Sequence, residues 1–219
     1  GYGIVVEPDV RIGELGLDAE LRPSFRFDSP WGAGTVHLEV RGEHQAVNAA
    51  MAAAAAMHHG IEPELVSDAL AGVKSATWRM QVTRTDTGIT VVNDAYNANP
   101  ASMAAALRAF QKLQLDGRRV AVLGAMRELG EHSEREHAEI GSIVARSGVD
   151  HLVVVGDDAA PIADNATPVP VTAVPDAPSA LRALDALGLQ GGDGVLIKAS
   201  RGVGLEVLAD ALVAEGVRS

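Results

Sequence analysis

Ile89-Thr90-Val91-Val92-Asn93-Asp94-Ala95-Tyr96-Asn97-Ala98-Asn99-Pro100 is the stretch on which the fold of this chain turns. Residues 89–93 are rich in β-branched side chains and read as a buried strand. A polar run follows. Asn99 and Pro100 then mark the start of a helix, because asparagine caps well and proline fits the first helical position, where its missing N–H costs nothing. Strand, polar loop and capped helix in succession make half of a βαβ unit. In such sheets ligands sit where strands end and helices begin.

Toward the carboxyl end the same rhythm repeats. Helices are predicted over 101–113, 133–146, 177–187 and 203–213, with buried strands over 119–123, 152–155, 169–174 and 194–199. Ser133 and Glu136 stand in capping-box register at the start of the second of these helices. The stretch 161–178 is proline-rich and reads as a mobile loop. Alternation of this kind implies an α/β fold with a mainly parallel sheet covered on both faces. Toward the amino end, strands over 80–84 and 89–93 flank Asp86-Thr87-Gly88, which suits a hairpin turn. Before that the character differs. Short strands over 25–27 and 35–40 are punctuated by Pro30, Gly32 and Gly34. An Ala-rich helix over 43–59 is closed by Gly60, and a shorter helix covers 63–70. A change of domain is therefore expected near residues 75–79, dividing the chain into 1–78 and 79–219.

The composition narrows the function classes. Of 219 residues, 47% are hydrophobic and only 3% aromatic, so a real core can form and must be built from Ala, Val, Leu and Ile. A net charge of −11 weighs against a nucleic-acid binder, which needs clustered Lys and Arg to neutralise phosphates. Cysteine is absent, which excludes disulfides and thiolate metal sites and fits a reducing compartment. Residues 1–22 show no signal-peptide pattern, and the longest apolar run, 49–57, is too short to span a bilayer. The expectation is a cytoplasmic chain with no membrane insertion.

Several constellations carry chemistry. In Gly42-Glu43-His44-Gln45-Ala46-Val47-Asn48, His44 and Asn48 share a helix face, and an amide there can read a base edge. Ordinary helix capping by polar residues explains the same pattern. In the 93–100 run, Asp94 can accept from ribose hydroxyls, while Asn97, Asn99 and the helix start can donate to a phosphate or carboxylate; an Asn-rich turn satisfying its own backbone is the plain alternative. Arg79 has the forked, permanent charge of a phosphate clamp, though a lone arginine is more often a surface residue. Lys198-Ala199-Ser200-Arg201-Gly202 follows another strand, where Lys198 and Arg201 can hold an anion or simply belong to a solvated loop. Gly124-Ala125-Met126-Arg127-Glu128-Leu129-Gly130 lacks the spacing of a dinucleotide fingerprint. His132 and His137, among Glu131, Glu134 and Glu136, read as a solvated charged helix face, and no metal site is expected. No GxxxxGK[ST] phosphate loop occurs in the sequence.

The string Asp94-Ala95-Tyr96-Asn97-Ala98-Asn99-Pro100, with Gly42-Glu43-His44-Gln45-x-x-Asn48 and Trp78-Arg79-Met80, closely resembles the Mur ligases. The resemblance covers essentially the whole chain and is weakest over 1–41. It implies that residues 1–78 are the end of a central ATPase domain and 79–219 a Rossmann-like carboxy-terminal domain. It implies an ATP- and Mg2+-dependent amide ligation in which D-alanyl-D-alanine is added to UDP-N-acetylmuramoyl-tripeptide through an acyl phosphate. By position, Asn48 contacts adenine with His44 and Gln45 nearby, Arg79 acts as the catalytic residue at the ATP phosphates, and Asp94 holds the ribose. Tyr96, Asn97, Asn99, Ser200 and Arg201 line the D-alanyl-D-alanine side. The family usually has an acidic residue where this chain has Ala125, and often a glycine where it has Ala199. The phosphate loop, the metal ligands and the uridine-binding domain are expected before Gly1, so that the chain alone is inactive. Two rival readings stand beside this one: a sibling amide ligase of the folylpolyglutamate type, and a nucleotide-binding module without chemistry.

Overall fold

The computed structural model describes residues 10–74 and 78–216. The chain divides into two compact units, 1–75 and 76–219.

In the first unit, strands β1 (Arg11–Leu17), β2 (Pro23–Ser29) and β3 (Gly32–His37) form an antiparallel sheet in that order. Helices α1 (His44–His58) and α2 (Pro63–Ala71) pack on it. The buried face of α1 is Ala46, Ala49, Ala50, Ala53 and Met57, at helical spacing, against Phe25, Phe27 and Val36 of the sheet and Leu38 just after it. Small alanines let the helix backbone approach closely, which is how so aromatic-poor a sequence closes a core around two phenylalanines. β3 starts and ends earlier than its sequence pattern suggests, at 32–37 rather than 35–40.

In the second unit, β4 (Gln81–Arg84), β5 (Thr90–Asn93), β6 (Arg119–Gly124), β7 (His151–Val155), β8 (Val171–Val174) and β9 (Gly194–Lys198) form one sheet, ordered β4-β5-β9-β6-β7-β8. Only β4 is antiparallel to its neighbour. Helices α3 (Pro100–Lys112), α4 (Ser133–Val144) and α5 (Ala160–Asp164) pack in sequence on one face, and α6 (Ala177–Ala186) and α7 (Glu206–Gly216) on the other. Strand residues alternate between the two helical layers. Val91, Val120, Val122, Val153, Val155, Val195 and Ile197 share a cluster with Leu184, Leu208 and Leu212 of α6 and α7. This is the mainly parallel, doubly covered α/β sheet that the alternation implies.

Three local expectations are corrected. The proline-rich stretch 161–178 is ordered structure: it contains most of α5, a cis Thr167-Pro168 bond and β8. Ser133 and Glu136 form no capping box, because a 3-10 turn at Gly130–His132 runs straight into α4. Helical dihedrals already hold at Leu129 and His132, so no extended capping residue remains, and Glu136 pairs with Arg135 instead. The last helix starts at Glu206, not 203, because Gly204 adopts φ +77° after a short 3-10 turn.

Candidate functional site

The three strands β5, β9 and β6 lie side by side, and their carboxyl ends release the loops 94–99, 199–205 and 125–129. From β5 and β6 the chain passes to α3 and α4 on one face; from β9, between them, it passes to α7 on the other. Adjacent loops therefore diverge, and the crevice that such divergence opens is the usual ligand position of sheets of this kind.

Local sequence builds the first loop. Asn99 Oδ1 accepts the Ser102 N–H at 2.8 Å and Ser102 Oγ accepts the Asn99 N–H at 3.0 Å, a reciprocal cap with Pro100 at the first helical position. Asn97 Oδ1 accepts the N–H of Ala98 at 2.9 Å, so the asparagine-rich turn does satisfy part of its own backbone. Both asparagines remain exposed. Asp94, mostly buried, accepts the Met80 N–H at 3.0 Å and an Nζ–H of Lys198 at 2.6 Å. Lys198 is 2% exposed and also donates to the Asn97 carbonyl at 2.9 Å. The expectation that Lys198 holds an anionic ligand is corrected: its ammonium is turned inward and spent on fixing the 94–99 loop. Asp94 keeps acceptor capacity, since a carboxylate has about four lone-pair sites.

Two arginines stand over Tyr96. The Arg79 guanidinium stands 4.3 Å from the centre of its ring and that of Arg201 5.8 Å, with Arg201 also 5.9 Å from the Trp78 ring. Among the described residues neither arginine pairs with a carboxylate, and both are exposed. Stacking restrains these charges without neutralising them, which prepares a cationic rim for an anionic ligand. Ser200, which the resemblance assigns to the dipeptide side, also joins loops. It is 5% exposed, accepts the Arg127 N–H at 2.9 Å on Oγ, and donates to Ala98 O at 3.4 Å. Its hydroxyl joins loops beneath the rim.

Composition alone misleads at His137. It is fully buried, not a member of a solvated face. The available signal was register: His137, Ile140, Gly141 and Val144 form the buried side of α4, while the glutamates lie elsewhere.

Arg79, Asp94, Tyr96, Asn97, Asn99, Ser200 and Arg201 thus gather in the second unit, and His44, Gln45 and Asn48 belong to the first. There, α1 begins without any side-chain cap, so the polar residues at its start are not explained by capping. Asn48 Nδ2 donates to Gln45 Oε1 at 3.0 Å, presenting paired amides on the first turns. The ring of His44 lies against Gly42, where a Cβ would come within 2.6 Å of it and φ is +99°. Among the described residues no group of three or more His, Asp or Glu could hold a metal ion, and no helix is long and apolar enough to cross a membrane.

Known proteins resemble this chain in sequence and fold. Residues 78–201, more than half of the chain, match the model of the family described as "Mur ligase, glutamate ligase domain". The chain is 40% identical to the UDP-N-acetylmuramoyl-tripeptide–D-alanyl-D-alanine ligase of Mycobacterium leprae, over 95% of this chain and 45% of that protein. It is 34% identical to the enzyme of the same name from Bacillus subtilis, over 97% and 46%. MurF from Acinetobacter baumannii superposes with a TM-score of 0.83 at 30% identity, over 94% of this chain and 45% of that one. MurF from Thermotoga maritima, solved in complex with ADP, gives 0.76 at 26% identity, over 96% and 47%. The chain spans a little under half the length of these relatives. With these likenesses running along nearly its whole length, the chain belongs to the Mur ligase family.

Proposed function

We propose that this chain is the carboxy-terminal part of a cytoplasmic, ATP-dependent amide ligase that joins D-alanyl-D-alanine to UDP-N-acetylmuramoyl-tripeptide during peptidoglycan precursor synthesis. In this reading residues 1–78 end the central ATP-binding domain and residues 79–219 are the Rossmann-like carboxy-terminal domain. The observation that carries it is the pair of loops at the carboxyl ends of β5 and β9, where two guanidiniums with no carboxylate partner among the described residues stand over Tyr96 beside a run of exposed amides.

The reaction moves the γ-phosphoryl group of ATP onto the tripeptide carboxylate. The dipeptide amine then attacks the acyl carbon; a C–N bond forms, the C–O bond to phosphate breaks, and the nitrogen sheds a proton. What this chain adds is orientation. Asn48, with His44 and Gln45, offers donor and acceptor to the adenine edge. Asp94, held by Lys198 and Met80, takes ribose hydroxyls on its remaining lone pairs. Arg79 brings a fixed charge to the phosphates, where charge shifts during transfer. Tyr96, Asn97, Asn99 and Arg201 receive the dipeptide, with Arg201 suited to its terminal carboxylate; Ser200 braces their loops from below. Mg2+ bound to the ATP phosphates offsets their charge in such reactions.

The test is an acceptor screen on the full-length ligase with ATP and UDP-N-acetylmuramoyl-tripeptide, following phosphate release and amide product. D-alanyl-D-alanine is expected to support turnover while glutamate and single amino acids do not. Turnover with glutamate or a single amino acid, and none with the dipeptide, would transfer the chain to a sibling ligase.

A further inference from the structure

The loop 125–129 after β6 carries none of the residues assigned to a substrate, yet hydrogen bonds tie it to loop 199–205 and, through Ser200, to loop 94–99. They begin at His137. The Met126 N–H donates to His137 Nε2 at 2.9 Å. A backbone N–H can only donate, so Nε2 carries no hydrogen, and Nδ1–H donates to the Ser133 carbonyl at 2.7 Å. The imidazole is neutral, in one tautomer, and fully buried. On either side of Met126 the loop grips Ser200: the Ala125 carbonyl accepts the Ser200 N–H at 3.0 Å, and the Arg127 N–H donates to Ser200 Oγ at 2.9 Å. Ser200 in turn donates to the carbonyl of Ala98, between Asn97 and Asn99, and immediately precedes Arg201.

We propose that His137 is a positioning residue for the acceptor side of the crevice. Its neutral imidazole sets the register of residues 125–127, and through Ser200 that register fixes Asn97 and Arg201 relative to each other. An apolar side chain would fill the same space on α4 but leave the Met126 N–H buried without an acceptor, and the loop would have to shift to satisfy it. The inference rests on the proposed function, because only there do Asn97 and Arg201 face the dipeptide.

In the full-length ligase, His137→Leu is expected to raise the KM for D-alanyl-D-alanine by about tenfold or more while the KM for ATP stays within about twofold, since a small misplacement of binding groups is costly. His137→Gln, which can present an acceptor to Met126, should recover most of the loss. Ile140→Ala, one turn along on the same buried face, is the control: it should lower the unfolding midpoint without moving the dipeptide KM. Equal KM effects from Ile140→Ala and His137→Leu would overturn the proposal in favour of a merely structural histidine, as would an unchanged dipeptide KM in His137→Leu. Should His137→Leu fail to fold, Ser200→Ala cuts the next link and must show the same KM split; a dipeptide KM unchanged there also overturns it. Amide exchange of the wild-type and His137→Leu ligases at residues 125–127 and 199–201 does not depend on the substrate. A ligase that never uses the dipeptide would sink the proposed function alone, and the clamp would then stand or fall on whether exchange in those segments speeds up in His137→Leu.

Discussion

Arg79 and Asp94 sit close together in the crevice but answer to different physics, and their variants should behave differently. Arg79 is exposed and stacked on Tyr96, with no carboxylate to lose. Arg79→Ala should leave the unfolding midpoint nearly unchanged and cut kcat of the full ligase by about a hundredfold or more, the scale seen when a group aimed at developing charge is removed. A fall in stability with kcat preserved would make it a surface residue. Asp94→Ala, in contrast, strands the Lys198 ammonium at 2% exposure and releases the Met80 N–H. Removing one partner of a buried pair costs about 3–5 kcal/mol, so denaturant unfolding should show a large loss before any ligand is added. Asp94→Ala is therefore a poor probe of ribose binding by itself. Lys198→Met separates the two effects: it leaves Asp94 in place but removes its clamp, so a stability loss comparable to that of Asp94→Ala identifies the pair, not the ribose contact, as its source. The sequence offered Asp94 and Lys198 only as candidates at two strand ends. Their pairing across 104 residues is invisible without the sheet order that puts β5 beside β9.

At the scale of elements, what was legible followed local rules. The strand-to-helix step at 89–100 was readable because β-branched burial, an asparagine cap and a first-turn proline all act within one turn of each other. Asn99→Ala should accordingly cost about 1 kcal/mol in unfolding free energy, the usual worth of such a cap; a change near zero would mean that α3 is held by packing alone. What was not legible depended on neighbours distant in sequence. The proline-rich stretch 161–178 looked like a loop because proline breaks local hydrogen bonding. It is ordered because α5 lies against α4 so closely that a Cβ on Gly141 would stand 2.4 Å from the Ile162 carbonyl. Gly141→Ala should destabilise the protein by about 1–3 kcal/mol, as overpacking does. Asp193 at the start of β9 gives a pH-dependent counterpart. Its carboxyl is buried, which works against ionisation, but the Arg118 guanidinium and the N–H groups of Gln190 and Arg118 outweigh that and hold its pKa below the ordinary carboxylate range. A lowered folded pKa stabilises above the unfolded value, near 3.9, and the gain is lost as pH falls through the folded value. Unfolding free energy measured from neutral to acid pH should therefore decline more steeply in the wild type than in Asp193→Asn. Parallel curves would show that the pair contributes nothing on folding.

At the scale of the whole molecule, the distribution of groups between the units limits what the 219-residue chain can do by itself. Adenine-reading amides are proposed for the first unit, and ribose, phosphate and dipeptide contacts for the second. The sequence contains no phosphate loop, and the described residues offer no metal-binding group. Bringing reactants into near-attack geometry is worth about 7–11 kcal/mol of an enzymatic barrier, and that gain exists only where ATP, carboxylate and amine are all held together. The isolated chain is therefore expected to release no phosphate above the background rate when given ATP, UDP-N-acetylmuramoyl-tripeptide and D-alanyl-D-alanine. It should nevertheless fold, since each unit has its own closed core. Calorimetric titration with ADP and, separately, with the dipeptide then distinguishes two states of a folded, inactive chain. Dipeptide binding weakened by Asn97→Ala would mean that the crevice is preformed, because Asn97 is exposed and its loop is already pinned by Lys198. Heat signals absent for both ligands would mean that these contacts form only with the remainder of the ligase present. Measurable turnover would overturn the proposed division of labour altogether, because the chain would then have to position all three reactants by itself.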